Sequence, residues 1–303
     1  MRDCFIELLR QEALKNKNIM LLTGDLGFGV LNKYRDTLPE QFLNIGIAEQ
    51  NMTGIATGLA LEGYKVFTYS IGNFCTLRCL EQIRNDVCYH KADVKIVSVG
   101  SGLGYGSLGM SHHATEDVAI MRAIPNIKIY SPSDYSEICA CVEDLVNTKG
   151  PGYVRLAKVK VNPAETRYVK MDTCNVVGSV TNSDLALLTH GSMVKMAQNI
   201  IANLEIPCDL YTIPQLKPLP YKSLQKTLKG RRYVITLEEH NLCGGFGSSI
   251  CEFLTDNQIQ LPVIRLGLPD QFISVGGTAD ELMDYVGLNT RNCIEKIKSQ
   301  ISL

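Results

Sequence analysis

Glu49 is the residue of this sequence whose surroundings best suit chemistry. It stands in the stretch Asn44 to Asn51, after a short apolar run and before a small-residue segment that Gly63 closes. This pattern predicts a strand, a tight turn and a helix, because glycine is favoured just past a helix end. A carboxylate at a helix start can also simply stabilise the helix dipole. Taken alone, Glu49 therefore leaves a structural and a chemical role open.

Two neighbouring histidines form a second candidate group. His112 and His113 lie in the glycine-rich loop 100–113, which is too long to be a mere turn and is therefore a candidate binding loop. A histidine near its ordinary pKa can take up and release protons at neutral pH. The alternative is a solvated loop histidine without a chemical role.

The elements that must position these residues alternate along the first half of the chain. We predict strands at 19–23, 42–46, 65–71, 94–99, 127–130 and 153–156, and helices at 2–17, 49–62, 74–90, 115–123 and from Ser133, as N-cap, to about 147. This alternation indicates a parallel sheet with helices on both faces. Ligands of such sheets sit beyond the carboxyl ends of the strands. Glu49, Phe74 and loop 100–113 all follow strands, so one rim should collect them.

A second α/β domain should follow a stretch without periodicity at 157–178. We place the domain boundary near 168. Beyond it we predict strands at 184–189, 208–213, 232–238 and 262–266, helices at 192–204, 221–229 and 245–256, and a final helical pair. Thr278 to Glu281 form a capping-box pattern that should open this pair.

Composition excludes several classes of function. The 303 residues suit two domains, and a net charge of −1 gives no nucleic-acid signature. No apolar run approaches the roughly 18–20 residues of a membrane span, and the charges in residues 1–7 argue against a signal peptide. The eleven cysteines include no CxxC pair, which favours buried thiols over disulfides or zinc. We therefore expect a cytoplasmic protein without nucleic-acid or membrane partners.

Several motifs together resemble the transketolase family. Gly46-Ile-Ala-Glu-Gln50, followed by Gly58-Leu-Ala60, is similar to its pyrimidine-binding domain. Further motifs recur in the family's order at 82–85, 111–112, 122–126, 131–134 and 238–247. The chain most resembles the C-terminal subunit of transketolases that are split over two polypeptides. The resemblance implies two doubly wound α/β domains: a thiamine-diphosphate pyrimidine-binding domain at 1–168 and a smaller transketolase C-terminal-like domain at 169–303.

The resemblance also implies which residues contact the cofactor. Glu49 would hydrogen-bond the pyrimidine ring nitrogen of thiamine diphosphate from a water-poor pocket, where burial favours the protonated form of a carboxyl group. Phe74 would stack on the aminopyrimidine, although an aromatic residue there is as readily explained as part of the core. Asp25, in the glycine-rich loop 24–29, would lie near the cofactor.

Substrate contacts are implied by the same resemblance. His112 matches a histidine that lines the substrate channel and can transfer protons, whereas His113 is a weaker match. Arg155 matches an arginine that binds the substrate phosphate, and a structural ion pair is its alternative. Many transketolases carry a second substrate histidine and an aspartate where this chain has Gly100 and Leu108. These departures favour a less hydroxylated or differently arranged substrate.

The family's metal motif is missing from this chain. Transketolases hold Mg²⁺ and the diphosphate with Gly-Asp-Gly and a downstream asparagine, whereas this sequence has only Gly24-Asp25-Leu26. The resemblance thus implies an N-terminal partner subunit that supplies these ligands, in an α2β2 assembly.

We expect the assembled enzyme to transfer a two-carbon ketol unit from a ketose, or ketose phosphate, to an aldehyde. Two enzyme alternatives stay open: the beta subunit of a 2-oxo acid dehydrogenase or decarboxylase, and a 1-deoxyxylulose-phosphate-synthase-like enzyme. The third alternative is a non-catalytic regulatory relative that has kept the fold.

Overall fold

The chain folds into two α/β domains, as the sequence predicts. The computed structural model describes residues 1–179 and 183–301. A seven-stranded sheet organises the first part of the chain and a five-stranded sheet the second. Both sheets are mostly parallel, which confirms the predicted class.

Apolar strands with helices on both faces build the first sheet. Its strands run, from one edge to the other, in the order Gln215–Lys217, Lys128–Tyr130, Gly152–Leu156, Val94–Val99, Lys65–Ile71, Ile19–Thr23 and Phe42–Asn44. Neighbouring residues of one strand enter different cores: Leu21 packs with Phe67 on one face, and Leu22 packs with Val66 on the other. Period-two alternation in a strand that is buried on both sides explains why its sequence is continuously apolar.

The helices that flank this sheet agree with the predicted ones, with two exceptions: Asn32–Thr37 has no predicted counterpart, and one predicted helix is broken. They span Arg2–Lys15, Asn32–Thr37, Glu49–Leu61, Asp117–Ala123 and Tyr135–Asn147. The helix predicted over 74–90 is broken into Gly72–Cys75, Leu80–Gln82 and a π-helical turn at Ile83–Cys88. At the break, the Thr76 hydroxyl donates to the Gly72 carbonyl at 2.7 Å, and the Arg78 amide donates to the Asn73 carbonyl, five residues back. Such local irregularities are frequent at functional sites.

The helix Tyr135–Asn147 begins one residue later than predicted. Asp134, not Ser133, is its N-cap, and the Asp134 carboxylate accepts the amide hydrogen of Glu137 at 2.9 Å. The Ser133 amide instead donates to the Glu137 carboxylate at 2.9 Å. The prediction of Ser133 as N-cap is therefore wrong, because both neighbours are good caps and only backbone geometry selects between them.

The second sheet has the strand order Val263–Leu268, Tyr233–Asn241, Leu185–Thr189, Cys208–Thr212 and Asn175–Gly178. Its helices span Val194–Asn203, Tyr221–Leu228, Phe246–Asp256, Ala279–Tyr285 and Thr290–Gln300. The predicted capping box is present, because Thr278 and Glu281 exchange hydrogen bonds at the start of their helix. The sequence missed the short edge strand Asn175–Gly178, which pairs antiparallel with Cys208–Thr212.

One strand crosses between the two halves of the chain. Gln215–Lys217 follows a strand of the second sheet, yet it pairs antiparallel with Lys128–Tyr130 at the edge of the first. A boundary near 168 stays a prediction, and the first sheet draws on residues from both sides of it.

Two further observations concern composition. All eleven cysteines are free, and seven of them are buried. In the described part of the chain, none of the helices combines the length and the apolar character needed to cross a bilayer.

Candidate active site

Glu49 lies at the rim where strands of the first sheet end, at the start of helix Glu49–Leu61. Its side chain is only 2 % exposed, and its carboxylate accepts a 2.7 Å hydrogen bond from the Arg78 guanidinium. Gly24, at the end of strand Ile19–Thr23, packs so closely that a Cβ there would lie 3.4 Å from the Glu49 Cγ. The turn and glycine therefore form a tight wall around a buried carboxylate.

Phe74 shares Arg78 with Glu49. The Arg78 guanidinium carbon lies 4.6 Å from the centre of the Phe74 ring, within the range of a cation–π contact. One planar cationic group thus covers an aromatic face and donates to a buried carboxylate at the same time. A planar ligand ring that stacks on Phe74 and hydrogen-bonds Glu49 would use the same two contacts.

His112 reaches the same place from loop 100–113. Its ring centre lies 5.0 Å from that of Phe74 with an interplanar angle of 66°, which is an edge-to-face arrangement. Its Nδ1 lies 3.0 Å from the Ser111 hydroxyl. Partial burial lowers the pKa of His112, and the neighbouring His113 lowers it further. His112 is therefore neutral at pH 7 and can accept a proton.

His113 is buried beside the loop backbone. The Asn73 amide donates to the His113 carbonyl at 2.6 Å, and the His113 Nε2 lies 3.5 Å from the Gly106 carbonyl. Its side chain lines a cavity of about 530 Å³ between the two domains. The other lining residues are Asn73, Phe74, Leu77, Arg78, Met110, Ser111, Thr115, Glu116, Ile120, Asn241, Leu268, Pro269, Gln271, Phe272 and Ile273. This cavity is therefore large enough to hold a small-molecule ligand beside Phe74 and the histidine loop.

Asp25 lies at the exposed edge of this rim. Its amide donates to the Asn44 side-chain oxygen, and its carboxylate accepts from the Asn44 amide group, both at 2.9 Å. The residue adopts φ +55°, a left-handed conformation that aspartate tolerates better than most residues. Asp25 thus ties two strand ends together next to Gly24, which itself packs against Glu49.

Arg155 is buried, in contrast to the exposed position that its predicted contact with a substrate phosphate requires. Its side chain is 1 % exposed and forms a 2.8 Å ion pair with Asp117, itself buried. It also donates to the carbonyls of Ala114 and Glu239 at 3.1 and 2.8 Å. With these partners the guanidinium presents no surface to a phosphate, so the phosphate-binding prediction is corrected to the alternative, a structural ion pair. Arginine serves both uses, and only burial separates them.

Two residues at or beside the site are not among the predicted ones: Arg78, which contacts Glu49 and Phe74, and Glu239, which contacts the histidine loop. Arg78 stands four residues after Phe74, a spacing that places two side chains on one face of a helix. This spacing could have identified Arg78 as a neighbour of Phe74, although the helix in this segment is irregular. Glu239 gives no comparable signal, because it arrives from the second domain: its carboxylate accepts the Leu103 amide hydrogen at 2.8 Å. Burial raises the pKa of Glu239, and the Arg155 charge opposes this rise.

The described residues offer no metal site of the usual kind. Within 1–179 and 183–301, no three His, Cys, Asp or Glu side chains are grouped to hold a metal ion. The polar chemistry of this rim thus rests on Glu49, the histidines and Arg78.

Fold and rim together describe a class of protein: a pair of α/β domains with a buried acid beside an aromatic face at strand ends. Residues 1–163 match the transketolase pyrimidine-binding domain, and residues 175–293 match the transketolase C-terminal domain. The chain belongs to the transketolase family, whose members are thiamine-diphosphate-dependent transferases.

Within the family, the relatives that match over nearly their whole length are C-terminal sections or subunits of transketolases. A putative transketolase C-terminal section from Methanocaldococcus jannaschii is 33 % identical and aligns over 99 % of this chain and 96 % of its own length. One of the subunits of an apulose-4-phosphate transketolase from Phocaeicola vulgatus is 32 % identical, over 95 % of this chain and 93 % of its own. 1-Deoxy-D-xylulose-5-phosphate synthases are also related, but this chain spans only 43–48 % of their lengths.

A solved structure agrees over the whole fold. A split-gene transketolase, described as an inactive β4 tetramer, superposes with a TM-score of 0.86 at 29 % identity, covering 98 % of this chain and 96 % of that one.

Proposed function

We propose that this chain is the C-terminal subunit of a two-subunit transketolase that transfers a two-carbon ketol unit from a ketose donor to an aldehyde. The observation that carries the proposal is the joint contact of one planar cation with Glu49 and Phe74. An aminopyrimidine ring offers the same planarity, and its ring nitrogen can accept the hydrogen bond that a protonated Glu49 donates. The residues present therefore fit the pyrimidine half of thiamine diphosphate.

Each of this chain's residues has a task in such a site. When bound, thiamine diphosphate supplies the carbanion chemistry. Glu49 would donate a hydrogen bond from its buried carboxyl group to the pyrimidine nitrogen, and desolvation would strengthen this bond. Phe74 fixes the ring plane. His112, neutral at pH 7 and beside Phe74, accepts or returns a proton of the substrate at an imidazole nitrogen.

The partner subunit supplies what this chain lacks. We propose that the diphosphate and Mg²⁺ are held by an N-terminal subunit carrying Gly-Asp-Gly, and that Asp25 lies at the interface with it. The solved relative is described as an inactive β4 tetramer, which supports the view that the C-terminal subunit associates but does not turn over alone. We expect two subunits of each kind, in the cytoplasm.

Substrate selection follows from the residues at the loop. Gly100 and Leu108 replace polar side chains that read sugar hydroxyls in many transketolases. The wall contributed by Phe272, Met110 and Leu77 is apolar. We therefore propose a sugar substrate with fewer hydroxyls, or with hydroxyls elsewhere, than the common pentose phosphates.

Calorimetric titration with thiamine diphosphate and Mg²⁺ tests the proposal. We expect binding by the co-purified subunit pair and none by this chain alone. Tight binding to the chain alone would overturn the shared site, whereas no binding in either sample would favour a non-catalytic relative. Release of CO₂ from pyruvate without sugar turnover would favour the 2-oxo acid dehydrogenase or decarboxylase alternative.

Variants of the pair sharpen this test. Glu49→Gln should abolish turnover with the fold retained, because the amide cannot supply the carboxyl proton. Phe74→Ala should weaken cofactor binding about tenfold through loss of stacking. Tyr285→Ala, a matched aromatic control on an exposed helix end, should change neither property. Wild-type activity of Glu49→Gln would contradict the assignment.

A further inference from the structure

Glu239 is a buried acid from the second domain that reaches the histidine loop of the first. It lies near the end of strand Tyr233–Asn241 and is 3 % exposed. One carboxylate oxygen accepts the Leu103 amide hydrogen at 2.8 Å, and the other accepts the Ser192 hydroxyl hydrogen. Burial of a carboxylate costs free energy unless hydrogen bonds compensate for the lost hydration. The two hydrogen bonds of Glu239 provide this compensation, and one of them joins the second domain to the first.

The point of contact is the neck of the loop, which we define as the backbone bridge between Gly102 and Ala114. The Gly102 amide donates to the Ala114 carbonyl at 3.0 Å, and the Ala114 amide donates to the Gly102 carbonyl at 2.8 Å. These two bonds close the segment that carries His112 and His113. The direction of both histidines therefore depends on the orientation of the neck.

Gly102 shows how closely the neck is fitted to Glu239. A Cβ on Gly102 would lie 2.3 Å from the Glu239 carboxyl carbon, and the residue adopts φ +56°. Both the missing side chain and the left-handed backbone are needed for this approach. The loop and the acid are thus matched in shape as well as in hydrogen bonding.

Neighbours of Glu239 hold the other side of the neck. Arg155 donates to the carbonyls of Ala114 and Glu239, and the Asn241 amide donates to the Thr115 carbonyl at 2.8 Å. Of these contacts, only the carboxylate of Glu239 can be removed by a side-chain change without touching the Arg155 ion pair.

We propose that Glu239 is a positioning residue for the transfer reaction, which fixes the neck so that His112 faces Phe74 and the substrate route. It does not touch the reacting groups. This inference rests on the proposed function, because that function gives His112 its task. The proposal also gives the second domain a role in the site, although Glu239 lies far along the sequence from the histidine loop.

Hydrogen exchange on the full chain tests the structural half of the proposal. Glu239→Ala should raise amide exchange across residues 102–114 about tenfold, because the Leu103 amide loses its buried acceptor. Glu239→Gln, which keeps an acceptor oxygen, should stay within about threefold of the wild type. Glu238→Ala is the matched control: Glu238 is as buried but accepts the Phe246 and Gly247 amides, so exchange should rise there instead. Unchanged exchange at 102–114 in Glu239→Ala would overturn the proposal.

Kinetics of the assembled enzyme test the functional half. Glu239→Ala should lower kcat about 10- to 100-fold through misplacement of His112, with cofactor affinity unchanged and activity retained in Glu239→Gln. In a His112→Ala background the same change should cost less than about twofold, because both substitutions remove one function. Equal losses in both backgrounds would refute positioning. If the wild-type pair transfers no ketol unit, the proposed function fails, and the exchange result alone decides the role of Glu239.

Discussion

The ion pair between Glu49 and Arg78 is asymmetric in exposure. Glu49 is 2 % exposed, whereas the Arg78 side chain is 45 % exposed. A half-exposed arginine gains little from an ion pair, because water solvates it almost as well. A buried carboxylate, in contrast, is costly without a partner. Glu49 can therefore readily exchange Arg78 for another hydrogen-bonding partner that fits the same wall, which is the property a ligand site requires.

Gly100 gives a sharp test of the loop's shape. A Cβ there would lie 2.1 Å from the Tyr105 ring, and the backbone adopts φ +81°. We expect Gly100→His to lower the thermal midpoint by several degrees and reduce activity. The double variant with Tyr105→Gly should recover part of the loss, because the ring is removed while the backbone strain remains.

The control for this experiment is Tyr105→Gly alone, which leaves Gly100 untouched. Equal thermal midpoints and equal activity for Gly100→His with and without Tyr105 would contradict the steric explanation.

His112 sets the expected pH dependence of turnover. Burial, and then His113, lower its pKa below the ordinary value of 6.5. Its neutral form thus persists to lower pH, and the acid limb of a kcat profile should lie below pH 6.5. His113→Gln removes one of the two causes, so the limb should shift to higher pH. A shift to lower pH, or no acid limb in the wild type, would contradict the role of His112.

At the scale of elements, the sequence predicts long periodic helices and buried strands well and local breaks poorly. Strands 19–23, 65–71 and 94–99 are correct to the residue, because continuous apolar runs have sharp polar borders. Helix 74–90 fails because hydrogen bonds of Thr76 and Arg78 with the backbone, not periodicity, decide its course. The strand ends alone predict that Glu49 and Phe74 lie at one rim, whereas they give no indication of Arg78, which contacts both.

The N-cap of helix Tyr135–Asn147 can be tested by substitution of Asp134 and Ser133. Asp134→Ala removes the acceptor of the Glu137 amide and an ion pair with Arg167, so the free energy of unfolding should fall by about 1–2 kcal/mol. Ser133→Ala should change it by less than about 0.5 kcal/mol. Urea denaturation followed by circular dichroism measures both. A larger loss in Ser133→Ala than in Asp134→Ala would restore Ser133 as the cap.

At the scale of the whole molecule, the two sheets are joined by more than a linker. The class and the order of both domains follow from the alternation of apolar runs, which depends on local sequence. The position of strand Gln215–Lys217 cannot be predicted from local sequence. Its three residues precede a proline and carry no periodic signal, and their partner strand lies far away in sequence. Glu239 escaped prediction for the same reason, and the sequence could not decide between the two predicted roles of Arg155: both residues depend on contacts between distant segments.

Truncation tests this dependence. A chain ending at 168 should lose Gln215–Lys217 and expose the edge strand Lys128–Tyr130, together with apolar surface that Leu216 and Leu219 now cover. Unpaired edge strands associate, so we expect aggregation on gel filtration. A chain ending at 301, which keeps every described contact, is the control. A monomeric 1–168 fragment with a cooperative unfolding transition would show that the first domain does not need this strand.

The crossing strand also sets an order of events during synthesis. The other six strands of the first sheet are complete once the ribosome has passed Leu156, but the seventh waits for Lys217, about 60 residues later. At ribosomal speeds this is a delay of roughly 3 to 12 s. Throughout that interval the edge at Lys128–Tyr130 is unpaired, and only the arrival of Gln215–Lys217 closes it.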